Sequence, residues 1–144
     1  MYWHVIKGFR AALKEKHMNV IKYCIEELEL SLDHEAFKGL MHLFVYGCSL
    51  ATDEAAQQLN REILTLLVKG KGKNAIDELD AANGSTPLMI ACENVDDIEI
   101  IKILVEGGSD INAVNNDEKM PLSLIKERLE GEGENSENEN LGKI

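Results

Sequence analysis

The side chains able to act as nucleophile, base or soft metal ligand include three cysteines, Cys24, Cys48 and Cys92, and the histidines His17, His34 and His42. Cys48 with His42 or His34 offers a thiol and a base, but no glycine turn able to form an oxyanion site accompanies them and no local thiol-enzyme signature surrounds them. Cys24, His34, His42 and Cys48 carry donor atoms for zinc, yet the close ligand pairing of structural zinc sites is missing. Gly70 and Gly72 alternate with lysines, as in a phosphate cradle. They follow an apolar helical stretch instead of preceding one, so the helix dipole points the wrong way. Asn83-Gly84-Ser85 fits a glycosylation acceptor and reads better as a turn, while Ser136 within SENE fits an acidophilic kinase site. No catalytic residue, cofactor or metal follows. The simpler reading has the cysteines filling small core spaces, His17 in a turn, and His34 and His42 flanking a helix. The acidic pairs Glu26-Glu27, Asp53-Glu54 and Asp96-Asp97 then mark solvated helix ends.

A net charge of −11 over 144 residues works against nucleic acid and anionic membrane surfaces as partners, since both would repel the chain. An odd cysteine count without framework spacing points to reduced core thiols, hence to an intracellular and most simply cytoplasmic protein. No apolar run is long enough to span a bilayer, and the N-terminus lacks the order of a signal peptide.

The clearest unit runs from Asn83 to Ala113. Asn83-Gly84 is a tight-turn dipeptide, Thr86 stands where a helix N-cap belongs, and Pro87 occupies the first helical position, where a missing N–H costs nothing. A short helix to about Glu93 buries Leu88, Ile90 and Ala91. A second, from about Asp97, carries Ile100, Ile101, Leu104 and Val105 on one stripe and ends at Gly107-Gly108.

This unit resembles an ankyrin repeat. The family's TPLH start, alanine pair, outer helix and closing turn correspond to Thr86-Pro87-Leu88-Met89, Ala91-Cys92, Glu99 to Glu106, and Gly108-Ser109-Asp110-Ile111-Asn112-Ala113. Met89 replaces the family histidine, and one residue is inserted near Val95. The expected fold is therefore all-α, an ankyrin-repeat solenoid of stacked helix–turn–helix units with short hairpin-like fingers.

Three more units follow from the same pattern. In the first, Trp3, Ile6, Phe9, Ala12 and Leu13 recur at helical spacing, and Val20, Ile21, Cys24, Ile25 and Leu28 form a second stripe. In the second, Phe37, Leu40, Met41, Phe44 and Val45 make one apolar face and Ala56, Leu59, Ile63, Leu66 and Leu67 another, with Glu62 to Lys69 matching the outer helix. The fourth opens at Met120-Pro121-Leu122, and 34 residues separate Pro87 from Pro121, close to the family period. The units cover about 1–33, 34–77, 78–112 and 113–129, one domain over 1–129. Residues 130–144 then read as an acidic, disordered tail, since Glu130 to Asn140 has no apolar residue.

The resemblance implies recognition of another protein without catalysis, on fingertips and inner-helix faces lining a concave groove. Carried over by position, these are Asn83 and Ser85, then Asn116, Glu118 and Lys119 on the fingers, with Met89, Glu93, Ser123 and Lys126 on the inner helices. Met89 reads equally as an adaptable contact or as packing. The chain's acidity favours a partner with a basic surface or a basic peptide. By analogy, divergent repeats suit a host-directed effector. Packing against another domain of a parent chain is the structural alternative, and a thiol enzyme or zinc protein the remote one.

Overall fold

The computed structural model describes residues 2–31, 37–70 and 73–141, excepting the side chains of 2, 73, 74 and those from 132 on. His34, Lys71 and Gly72 lie outside the described residues, as does the Ser136 side chain. The described residues form seven α-helices and no strand. They are α1 (Tyr2–Glu15), α2 (Met18–Lys22, continued by a π-helical turn Tyr23–Glu27), α3 (Leu40–Cys48), α4 (Glu54–Lys69), α5 (Pro87–Asn94), α6 (Ile98–Glu106) and α7 (Pro121–Leu141). Helix pairs α1/α2, α3/α4 and α5/α6 are three units, and α7 opens a fourth. The inner helices stack as α3 on α5 and α5 on α7, the outer ones as α2 on α4 and α4 on α6.

Local chemistry sets the helix starts. Thr86 accepts from the Met89 N–H at 3.3 Å and Asp97 from the Glu99 N–H at 3.1 Å, while Asp53 accepts from the Ala56 N–H at 2.7 Å. Each satisfies an amide that the first helical turn leaves without a carbonyl. The core is one continuous cluster running through all the units, with Phe9, Ile21, Val45, Ile63, Leu64, Leu88, Ile100 and Leu104 among its fully buried members. A single unit has too little apolar surface to enclose itself, so its neighbour completes its core.

Some stripe positions turn outward. Trp3 is 57% exposed, with the Lys7 ammonium 5.3 Å from its ring centroid. Val20, Leu28 and Val105 are also exposed. In α4 the buried set is Asn60, Ile63, Leu64 and Leu67, so Leu59 and Leu66 lie at the margin of the stripe.

Polar ties cross the units. The Arg61 guanidinium on α4 forks onto Asp97, with Nε to Oδ2 at 2.7 Å and Nη2 to Oδ1 at 3.0 Å, joining one outer helix to the cap of the next. Arg128 on α7 donates to the Val95 carbonyl at 2.9 Å and to that of Cys92, and pairs with Asp96.

Gly107 and Gly108 end α6 for different reasons. Gly108 takes the left-handed conformation (φ +105°). Gly107 has an ordinary backbone, but a Cβ there would sit 2.0 Å from a Val68 methyl, so its lack of a side chain lets α6 approach α4.

The last helix continues to Leu141, past the Leu129 boundary and along the segment expected to be a disordered tail. Among its described side chains Leu124 is buried and Ile125 half-buried, whereas Leu129 is 62% exposed. Glutamate is a good helix former, which accounts for the continuation.

Two outcomes are expected in thermal or urea melts. Gly107→Ala lowers stability by about 1–3 kcal/mol, the cost of forcing a methyl into a filled interface. Truncation after Gly131 changes it by less than about 0.5 kcal/mol, because Leu124, the buried side chain of this helix's apolar set, lies before that point.

Candidate functional site

Two fingers project between the units, each built on an Asx side chain. In the first, Asp80 Oδ1 accepts from the Asn83 N–H at 2.7 Å and the Ser85 N–H at 3.3 Å, and the Asp80 N–H donates to the Ser85 carbonyl at 2.9 Å. Burial works against the Asp80 charge, but the N–H groups of Asn83, Ser85 and Gly84 outweigh it and hold this carboxyl below its ordinary range. In the second, Asn115 Oδ1 accepts from the Asp117 N–H at 2.9 Å and the Lys119 N–H at 3.1 Å, and its own N–H donates to the Lys119 carbonyl at 3.0 Å. The Asn116 N–H then donates to the Asn83 carbonyl at 2.9 Å and links the fingers.

Behind the first finger lies a polar contact of the inner layer. His42 on α3 places Nε2 2.8 Å from the Ser85 carbonyl, which can only accept, so Nε2 carries a proton. Its other nitrogen faces Glu78 at 3.6 Å, and the same Glu78 oxygen accepts from the Gly39 N–H at 2.6 Å. Gly39, in the left-handed region at φ +80°, is the N-cap residue of α3 and has no side chain to cap with. Glu78, 39 residues away, supplies the carboxylate instead.

Of the nine positions expected to contact a partner, Glu93, Asn116, Glu118 and Lys126 are exposed, and Asn83, Lys119 and Ser123 are half-buried. Ser85 and Met89 are buried, at 2% and 0% exposure. For Met89, packing is thus what the fold has: α5 is covered by α3 on one side and α7 on the other. Ser85 is drawn in by the finger hydrogen bonds that its backbone makes.

The remaining surface is acidic around Glu93. Burial raises its carboxyl above the ordinary value; Lys119 opposes this, and Asp117, Asp80 and Glu127 reinforce it. Glu118 at the second fingertip holds a left-handed backbone (φ +62°), which disfavours a side chain. Lys119 is engaged by Glu127 at 2.9 Å, and Lys126 lies 3.8 Å from Glu130.

The thiols sit apart from this face. Burial pushes Cys48 up to about 12 and Cys92 up to about 11, and raises Cys24 as well, the reverse of what activates a nucleophile. Among the described residues no cluster of His, Cys, Asp and Glu is arranged to hold a metal, and no helix is long and apolar enough to cross a membrane.

Asp80, Asn115, Glu78 and the Arg61–Asp97 pair escaped sequence reasoning. The signal for the fingers was available, since Asp80 and Asn115 stand 35 residues apart, about one repeat period.

Compared with known families, residues 9–115 match the model described as ankyrin repeats (3 copies). No curated protein and no solved structure matches the chain. Ankyrin repeats are in general protein–protein interaction modules, and the family is typically non-enzymatic.

The Glu93 shift has a measurable consequence for stability. A carboxyl raised in the folded state contributes stability that is full below the ordinary carboxylate range and lost as pH rises through the raised value. Glu93→Gln is therefore expected to be more stable than the parent at pH 7, by up to about 0.5 kcal/mol because the group is largely solvated. The difference should shrink toward pH 4, read from urea melts at both pH values.

Proposed function

Because the chain belongs to the ankyrin-repeat family, we propose that it recognises another protein through the inner helices and fingers of its third and fourth units, and that this partner presents a basic surface or basic peptide. The observation that carries this is the exposed Glu93 beside Asp117, Asp80 and Glu127, whose charges add to burial in raising its carboxyl while Lys119 opposes them. Like charges gathered at a cost in stability are offset when a cation is supplied from outside. Asn83, Asn116 and Glu118 flank this cluster on the fingertips, Ser123 and Lys126 lie along α7, and Lys119 balances the patch. Met89 and Ser85 act from within, fixing α5 and the finger. Three buried free thiols accord with a reducing, intracellular setting, the cytoplasm or, for an effector, the host cytoplasm.

A second reading is favoured by the far end of the stack. Beside α7 a groove of about 280 Å³ is lined by Leu88, Cys92, Ile101, Val105, Met120 and Leu122, and Leu122 is 72% exposed. This is an apolar face that a neighbouring domain of a parent chain, or a further helix, would cover.

Affinity capture from a cytosolic extract separates the readings. A variant combining Glu93→Lys and Glu118→Lys, matched to the parent by melting, is expected to lose a retained protein that binds less tightly as salt rises. Equal retention by parent and variant would exclude the acidic cluster as the recognition site. Loss with Leu122→Glu instead would favour the apolar end.

A further inference from the structure

We propose that the groove between α1 and α3 docks an acidic peptide segment bearing an apolar anchor, with Asn60 at its floor pairing with a peptide group of that segment. The inference rests on the chain being a recognition module, but on residues of the first two units, so it and the acidic-cluster reading fail separately.

The groove holds about 470 Å³, within the range of sites that enclose a few side chains. It opens because α3 packs on α5 while α1 packs chiefly on α2; the two units meet underneath, where Phe9 and Phe37 contact edge to face at 5.3 Å. Its walls are apolar: Leu13 and Phe44 are buried, whereas Leu43 is 66% exposed. A leucine left that open on an inner helix gains when a partner's apolar side chain covers it.

Charge specifies the partner further. Arg10, Lys14 and Lys16 line the same groove, in a chain whose net charge is −11. No ion pair involves Lys14 or Lys16 among the described residues. Beyond the Debye length of about 8 Å at physiological salt the chain's acidity is screened, and inside the groove Lys14 and Lys16 face the ligand. Lys16 also holds a left-handed backbone at φ +57°, a conformation that glycine adopts without penalty. A lysine there costs stability that a glycine would not.

Asn60 supplies the discriminating contact. It lines the groove, is 1% exposed, and neither Oδ1 nor Nδ2 has a hydrogen-bond partner among the described residues. A buried amide with both groups unmet costs free energy that hydrogen bonding returns. A carboxylate head group would satisfy Nδ2 and leave Oδ1 unmet; a peptide group, with one N–H and one C=O, satisfies both. This favours a peptide over an anionic amphiphile.

The test uses an array of twelve-residue peptides in which leucine or phenylalanine pairs are flanked by glutamates, a matched set flanked by lysines, and scrambled controls. Affinities are read by fluorescence anisotropy against the full chain. Glutamate-flanked peptides are expected to bind, lysine-flanked ones not. Lys16→Gly and Asn60→Leu are each expected to weaken binding at least tenfold while melting at or above the parent temperature, a combination that misfolding does not produce. Glu93→Lys should leave peptide binding intact. Several results would overturn the proposal: equal binding of the lysine-flanked set, absence of binding by either set, or undiminished affinity in Lys16→Gly or Asn60→Leu. So would loss of binding in Glu93→Lys, or a chain dimer in sedimentation that Leu43→Asp abolishes, which would make a second copy the occupant.

Discussion

Every unit of this chain is incomplete until its neighbour closes it, and the contact that fixes the closing register in the inner layer is the His42 imidazole on the Ser85 carbonyl. The apolar surfaces between inner helices tolerate small slides, because dispersion and burial are not directional. A 2.8 Å hydrogen bond to one carbonyl does not. Ser85 is also where the finger begins, so one bond sets both the stacking of α3 on α5 and the place from which the finger projects. Asp80, turned onto the amides of Asn83 and Ser85, holds the carbonyl in place. On the outer side the Arg61 fork onto Asp97 does the same for α4 on α6, and it acts through a residue that caps a helix. The stack is therefore registered at two layers by polar groups that also begin the elements they join.

How legible each unit is in the sequence follows from whether its signals are local. In the third unit the turn, cap, proline and terminal glycines lie within the segment they organise, and its helices begin and end where those residues place them. The second unit's inner helix starts at Gly39-Leu40, but glycine offers no capping oxygen, and the carboxylate comes from Glu78 in the following connection. No window of sequence contains both halves of that cap. Gly107 was legible as a helix end and illegible as a point of close approach, since Val68 on another helix sets the second role. The nine partner-facing positions carry the same limit: seven stay at or near the surface, and the two that do not, Ser85 and Met89, are enclosed by elements distant in sequence. The groove between α1 and α3 had no signature at all, because its width is set by how units pack.

The stack carries two regions of opposite sign. Around Glu93 the third and fourth units gather carboxylates, and around Lys14 and Lys16 the first two units gather cations over apolar walls. Net charge averages over both, so −11 describes the long-range field and misses the short-range one. A partner meeting both regions on the proposed readings meets an acidic half around Glu93 on α5 and a basic, apolar half between α1 and α3.

The residues that mark these two regions share a thermodynamic property. Glu93 is charged where burial opposes charge, Lys16 and Glu118 hold backbones that disfavour a side chain, and Asn60 buries an amide with neither group bonded. Folding alone would favour glutamine, glycine or leucine at these places. They lie at the groove, the acidic cluster and its fingertip, whereas the Arg61 fork and the Asp80 carboxylate are well satisfied. At the proposed groove and acidic cluster these costs fit a surface whose polar groups are completed by something outside the chain.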